Sequence, residues 1–452
     1  MTSEINLDEI LDDIQYLIKK GQTNFVLNII ADMHPADIAE IMGHLDEDER
    51  RAIFNLLPPE LASDVLAELE ENVKEDILKG MNTEQIAEMI HEMDSDDAAD
   101  IVSELPVEQA SEVLKRVPEE SSEEIQELLL YPEDTAGGIM AKEYVAVNAN
   151  STVRDAIEEI RKRYQDVEDV YHVYVIDDFG TLVGMVSLRD LILAEPDTRV
   201  RDIMKEDVIS VDSDMDQEEV ARLFRKYNLV SAPVVNKRHK LIGRITVDDV
   251  VDVIDEEIDE DLGKIAGTGE ESVLEDSVLE ISRARLPWLI LSFVGEIISA
   301  FILSSFSATM EEIITSAFFI PIVMAMGGSS GQQSSIIVVR GLATGEISFK
   351  DTGRRLFREI RVALLNGFIL GSLIFLIISL WQHDPTFGLI LGSTLIIVVL
   401  NASFIGATIP LIFKKFNIDP ALATGPFIAT FNDVVGLLIY FSMLSFFLHF
   451  YH

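Results

Sequence analysis

Near the C-terminus the chain reads GPFIATFNDVVGLLIYFSMLSFF, and inside that apolar run Asp433 follows Asn432. A carboxylate at the centre of a bilayer costs about 2.5–3.5 kcal/mol or more unless it meets a partner or water. No Lys or Arg lies inside this or any other apolar run of the chain. Two solutions stay open: a water- or cation-filled path, or a protonated Asp hydrogen-bonded between helices. Glu296 is a second acid of this kind and faces either a cavity or a helix contact. A further apolar run contains MAMGGSSGQQSS. Gly327, Gly328 and Gly331 there allow a broken helix with exposed carbonyls, which is tolerated at membrane depth only where it lines a cavity. Close helix packing through small residues is the other reading, but these glycines with their polar neighbours, together with Asn432 and Asp433, favour a hydrophilic pore over mere packing.

These residues need membrane helices to hold them. A spanning helix takes about 20 mostly apolar residues. Residues 286–306, 313–339, 362–381, 387–413 and 426–450 qualify. Basic residues set the orientation. Arg283 and Arg285 precede the first span, Arg340, Lys350, Arg354, Arg355, Arg358 and Arg361 lie between the second and third, and Lys414 and Lys415 follow the fourth. The alternate loops, SATMEE and WQHDPT, carry no Lys or Arg. The pattern predicts a multi-pass protein of the cell membrane with a cytoplasmic N-terminus and an extracytoplasmic C-terminus.

The 452 residues carry a formal charge of −44, and the charge is unevenly spread. Residues 281–452 hold ten Lys/Arg and nine Asp/Glu, while residues 1–280 hold 25 and 70. An acidic half of this kind repels nucleic acid and anionic lipid and attracts cations. The absence of cysteine excludes disulfides, thiolate metal sites and a Cys nucleophile. The opening MTSEINLDEILDDI is acidic and does not read as a cleavable signal.

The acidic half divides in two. PADIAEIM, PELASDVL, TEQIAEMI and VEQASEVL recur about every 24 residues, with alanines at Ala39, Ala62, Ala87 and Ala110, and predict paired short helices stacked as a small solenoid. From about Met140 a strand–helix–strand–strand–helix pattern occurs twice, LVGMVSLRDLI matching LIGRITVDDVV. This resembles a tandem pair of cystathionine-β-synthase (CBS) domains, regulatory modules that often bind adenine nucleotides or metal ions. DSDMDQEEVARL places Asp212, Asp214 and Asp216 at EF-hand spacing, but Gln217 and Leu223 stand where Gly and a bidentate Glu are required. It reads better as an acidic helix start that caps free N–H groups. There is no P-loop, no H-E-x-x-H and no G-x-S-x-G, so no enzyme activity is predicted and an ATP-driven pump is disfavoured.

The expected architecture is multidomain: an all-α helical-repeat domain (1–135), an α/β tandem CBS pair (136–254), a connecting helix (255–280) and a five-helix transmembrane domain (281–452). With PIVMAMGGSSGQQSS in the second span, NIDPALATGPF before the fifth and FNDVVG within it, the chain resembles the MgtE magnesium channel family along its whole length. The resemblance implies a homodimer in the lipid bilayer with its pore on the two-fold axis. It implies that Asp433 holds hydrated Mg²⁺, with Gly328 and Ala429 as carbonyl donors nearby. Many members read G-G-N-x-G-N-Q where this chain has Gly327-Gly328-Ser329-Ser330-Gly331-Gln332-Gln333. It further implies regulatory acids at Asp64, Asp96, Asp100, Asp216, Glu218, Asp249 and Asp252, with Glu260 and Asp261 facing Asp419. ATP or another adenine nucleotide would be held by Arg189, Asp190, Ser231 and Pro233. The expected function is a Mg²⁺-selective uptake channel closed by cytosolic Mg²⁺. Its rivals are an ion-coupled divalent-cation transporter using Glu296, and a membrane-anchored CBS nucleotide sensor without transport.

Overall fold

A computed structural model describes residues 7–164, 167, 170–268, 278–344, 347 and 352–451. The expected connecting helix therefore falls partly outside the described residues, at 269–277, as does Lys350. Two compact units divide the chain after Asp255.

The first unit opens with short helices: α1 (Leu7–Lys19), α2 (Thr23–Ile30), α3 (Pro35–Gly43), α4 (Glu47–Phe54), α5 (Pro59–Ala67), α6 (Glu71–Lys79), α7 (Thr83–Glu92), α8 (Ser95–Glu104), α9 (Val107–Leu114) and α10 (Glu119–Leu128). Prolines at the starts of α3 and α5 cost no hydrogen bond there. Asp46 caps α4 through Glu49 N (2.9 Å), and Asn82 with Gln85 forms a capping box on α7. Alternate helices α3, α5, α7 and α9 pack side by side, as the repeat requires. Ala39, Ala62 and Ala87 are buried at these contacts, whereas Ala110, in the last repeat, is only half-buried.

Two like modules follow. The first holds β1 (Ala146–Asn148), α11 (Val153–Lys162), β2 (His172–Ile176), β3 (Leu182–Ser187) and α12 (Leu188–Leu193). The second holds β4 (Val211–Asp212), α13 (Gln217–Tyr227), β5 (Ser231–Val235), β6 (Leu241–Thr246) and α14 (Val247–Ala266). Each sheet pairs its first two strands parallel and its last two antiparallel, with a register shift at the same place, Val175/Ile176 and Val234/Val235. The lead-in to each module packs on the other: Met140 lies over Gly243 and Met204 over Gly184, where a Cβ would come within 2.7 and 2.8 Å of the sulfur atoms.

The second unit contains α15 (Val278–Ser305), α16 (Ser307–Glu312), a 3-10 segment (Ile314–Phe319), α17 (Ile320–Ala343), α18 (Thr352–Trp381), α19 (Pro385–Lys415), a 3-10 turn (Pro420–Ala423) and α20 (Gly425–Tyr451). Among the described residues, five of its segments are long and apolar enough to cross a membrane. Without a hydrophobic drive between helices in lipid, close packing decides which pairs meet. Gly371 and Gly392 make the point: a Cβ on either would lie 2.6 Å from the other's carbonyl oxygen, which brings α18 and α19 backbone to backbone. Phe319, Ile374, Leu391, Val398, Leu437, Tyr440 and Phe441 fill the buried centre. Tyr440 donates to Ser316 O at 2.7 Å, which satisfies its hydroxyl and ties α20 to the 3-10 segment.

Candidate pore and regulatory sites

α17 runs unbroken through Gly327, Gly328 and Gly331, so the expected helix break does not occur. The glycines serve packing instead. Gly331 is pressed by Asn432 of α20 on one side and abuts Gly406 of α19 on the other, and a Cβ on Gly327 would lie 3.1 Å from Val398. With the helix intact, the Gly328 carbonyl lies inside the helical hydrogen-bond ladder. The position still borders the acid, since a Cβ there would be 3.9 Å from Asp433 Oδ1.

Asp433 is half-buried on α20, and Glu296, exposed on α15, lies within its electrostatic reach. Gly295 lets α15 approach Thr430 closely and so sets Glu296 on the Asp433 side. Ala429, one turn before Asp433, is half-buried. Asn432 is 2 % exposed, and neither its Nδ2 nor its Oδ1 has a hydrogen-bond partner among the described residues. The entrance of α20 is tied to α17: Ser335 Oγ donates to Ala423 O (2.8 Å) and Gln332 Nε2 to Gly425 O (3.4 Å). One buried acid escaped the sequence reading. Glu359 of α18 pairs with Arg355 (2.9 Å) and accepts from Ser334 Oγ of α17 (3.2 Å). Its i, i+4 arginine was legible, but the Ser334 contact was not.

Glu260 and Asp261 lie near the end of α14, in the second unit. Lys264 in the last turn donates to Asp419 Oδ2 at 2.6 Å and pairs with Glu260. Burial opposes its charge, but the bonds to Asp419 and Glu260 outweigh that and hold the ammonium pKa up at about 12. Burial, then the charge of Asp419, raises the Asp261 carboxyl, partly offset by Lys264. Glu260, Asp261 and Asp419 thus lie in one cluster, with a lysine among them. Asp419 Oδ1 meanwhile accepts from Ala421 N (2.8 Å) and caps the turn before α20.

In the first unit Asp96 and Asp97 open α8 next to the start of α14. Burial, then the charges of Asp97, Asp249, Asp94 and Glu143, pushes the Asp96 carboxyl well up, and Asp96 Oδ1 is enclosed without a hydrogen-bond partner among the described residues. Burial and the charges of Asp249, Asp94 and Asp252 raise Asp97 to about 7, with Lys74 opposing. Asp249 is raised by burial despite accepting from Thr246 N and Oγ1 (2.9 and 2.7 Å). Ser95 Oγ, bonded to Glu143 Oε2 at 2.7 Å, joins the solenoid to the CBS pair at this point. Among the described residues no three His, Asp or Glu side chains converge to ligate an ion directly. The cluster has the chemistry of an outer-sphere site, since Mg²⁺ keeps several waters and needs few direct carboxylates. Asp64 and Asp100 lie on exposed helix faces. Asp216 caps α13 by accepting from Glu218 N (3.0 Å), as the acidic-start reading expected, and Asp214 pairs with Lys237 (2.6 Å).

Of the nucleotide candidates, Ser231 lines a cleft between the CBS modules with Tyr144, Tyr171, His172, Tyr174 and Arg244. Tyr174 Oη donates to Ser231 Oγ at 3.4 Å, and His172 Nδ1 lies 3.3 Å from the same oxygen. Asp190 acts on the charge of His172 but also closes the cap of α12 with Ser187. Arg189 is exposed, and Pro233 is buried in β5 opposite Arg244.

A solenoid of short helices, a CBS pair and five membrane-length helices, with Glu296 and Asp433 among their residues, define a multi-pass membrane protein with a large N-terminal part outside its spans. Family models match in the same order: the MgtE intracellular N domain over residues 33–134, CBS domains over 136–197 and 200–256, and a divalent cation transporter domain over 320–443. The magnesium transporter MgtE of Bacillus subtilis is 34% identical over 99% of this chain and 100% of its own length. The protein of that name from Enterococcus faecalis is 41% identical over 96% of each chain. A solved cytosolic domain of the Mg²⁺ channel MgtE in complex with ATP is 36% identical, with a TM-score of 0.51, covering 54% of this chain and 99% of that one. The chain belongs to the MgtE family.

Proposed function

We propose that this chain is a Mg²⁺-selective channel for magnesium uptake across the cell membrane, closed by cytosolic Mg²⁺. The relatives' names support magnesium as cargo. The observation that carries the pore assignment is Asp433, half-buried beside Glu296, on membrane-length helices whose single-chain surface would otherwise put carboxylates against lipid. A second copy across a two-fold axis turns that surface inward. Two Asp433 carboxylates then share a hydrated Mg²⁺, which sheds water reluctantly and suits one or two acids contacting its retained waters. Gly328 and Ala429 border the same ion path.

Residues 1–135 and 136–254 act as the sensor, 255–280 as the connection and 281–452 as the conducting part, with the N-terminus cytoplasmic and the C-terminus outside. Mg²⁺ held among Asp64, Asp96, Asp100, Asp216, Glu218, Asp249 and Asp252 removes repulsion within the acidic modules, and Glu260, Asp261 and Asp419 bind it at the connection. A site at ten times its Kd contributes about 1.4 kcal/mol. A near-complete switch needs about 5.5 kcal/mol, so about four weak sites suffice. ATP or a related nucleotide binds the CBS pair at Arg189, Asp190, Ser231 and Pro233, supported by the ATP complex of the similar cytosolic domain.

The test is Mg²⁺ flux into proteoliposomes holding the purified chain, with Asp433→Ala as control. Wild-type flux from a folded variant sinks the pore assignment. Glu296, an acid within electrostatic reach of Asp433, favours one second reading, an ion-coupled transporter. A current that reverses at the Mg²⁺ equilibrium potential, whatever the Na⁺ or proton gradient, removes it.

A further inference from the structure

Lys264 joins two elements that helix formation alone does not bring together. Its ammonium pairs with Glu260 four residues back on α14 and reaches Asp419, 155 residues away, at 2.6 Å. Asp419 divides its oxygens: Oδ1 holds the turn at Ala421, and Oδ2 takes the ammonium. Asp261 shares the same field. The helix end seated by this bond lies against the entrance of α20, the helix that carries Asp433. Gly425 has φ +47° and no room for a Cβ beside Ile265 O, and a Cβ on Gly267 would lie 2.7 Å from Pro426. Gly425 is where two backbones meet, and Gly267 is where the Pro426 ring closes on the end of α14.

We propose that Lys264 is a tethered cation that competes with divalent ions for the Glu260, Asp261 and Asp419 carboxylates. When divalent ions are scarce it latches the end of α14 to the entrance of α20. This rests on the reading that those acids take a regulatory Mg²⁺. One ammonium offsets one of three carboxylate charges, so an arriving divalent ion must displace it or bind beside it. Removing the ammonium therefore has two opposed effects. It frees the helix end at low divalent concentration, and it raises the divalent affinity of the three acids. At partly buried separations of a few ångströms the second effect is about 10-fold or more. A lysine that only packed would produce the first effect at most.

The chain has no cysteine, so cysteines at Leu262 and Phe416, both exposed, can be spin-labelled uniquely in the full-length protein in nanodiscs. Distances measured in EDTA should be narrowly distributed in the otherwise wild-type protein and in Lys264→Arg. They should broaden in Lys264→Gln and in Asp419→Asn, which keeps the Oδ1 cap. Mn²⁺ titration by EPR should show Lys264→Gln binding about 10-fold more tightly at the class of sites that Asp419→Asn abolishes. Narrow distances in EDTA for both Lys264→Gln and Asp419→Asn overturn the latch. Unchanged Mn²⁺ affinity in Lys264→Gln overturns the competition. If no class of Mn²⁺ sites depends on Asp419, the regulatory-site reading fails instead, and the distances still decide the latch.

Discussion

Asn432 of α20 fits its amide into the space left by the missing side chain of Gly331 on α17, well inside the distance any Cβ would tolerate. Backbone of α19 closes the far side, since the carbonyl of Ala402 lies 3.3 Å from the same point. Gly331→Ala should therefore overpack the contact and destabilise the membrane unit by about 1–3 kcal/mol or more. Thermal unfolding in detergent measures it. Asn432→Ala should recover part of the loss in the double variant, and full additivity would show that the two side chains do not share this space.

Asp433→Ala should abolish Mg²⁺ flux while leaving the protein folded. Asp433→Asn keeps the shape and should lose most divalent affinity, because a neutral amide cannot replace a carboxylate that offsets the ion's charge. Flux assays and Mg²⁺ protection against proteolysis on the same preparations check both.

The Asp96–Asp97–Asp249 cluster makes a pH prediction. These carboxyls are raised in the fold, Asp97 to about 7, so the folded chain binds protons more tightly than the unfolded chain. Their contribution to stability is then fully present below the ordinary carboxylate range near 4 and is lost as pH rises through about 7. In EDTA, hydrogen exchange of α8, corrected for the intrinsic pH dependence of exchange, should be faster relative to that baseline at pH 8 than at pH 5.5. Millimolar Mg²⁺ should flatten the difference, and a difference that survives Mg²⁺ unchanged would mean the cluster does not take the ion.

Within the sensor, Asp96→Asn and Asp97→Asn should shift the Mg²⁺ concentration needed for closure more than Asp64→Asn. The first two share a field with Asp249, while Asp64 lies on an exposed face of α5. Patch recordings across a cytosolic Mg²⁺ series give the midpoints. Equal shifts for all three would argue for diffuse charge over a localised site.

Deleting residues 1–130 should raise the closing midpoint without removing closure, because the CBS acids, Glu260, Asp261 and Asp419 remain. Neutralising Asp216, Glu218, Asp249 and Asp252 together should raise it further. An unchanged midpoint after the deletion would take the helical repeats out of the sensor.

What the sequence by itself determined is whatever sums over neighbouring residues. Five apolar runs, the one-sided Lys/Arg loops, the alanine-marked repeat and the doubled strand–helix pattern are all local. Burial and hydrogen bonding act on them in any compact arrangement. The family motifs around Gly328 and Asp433 were legible for the same reason. What only the tertiary structure decided is which distant groups meet. Gly327, Gly328 and Gly331 were compatible with a break or a packing face. The approach of Asn432 and Gly406 made them a packing face in an unbroken α17. Asp249 was named only through the family resemblance, and its opposition to Asp96 and Asp97 depends on the solenoid docking at Ser95 and Glu143. Lys264 was one basic residue in an acidic helix until the turn before α20 brought Asp419 to it. A charge's partner is set by the fold's distances and by burial, and neither is a property of the residues beside it in the chain.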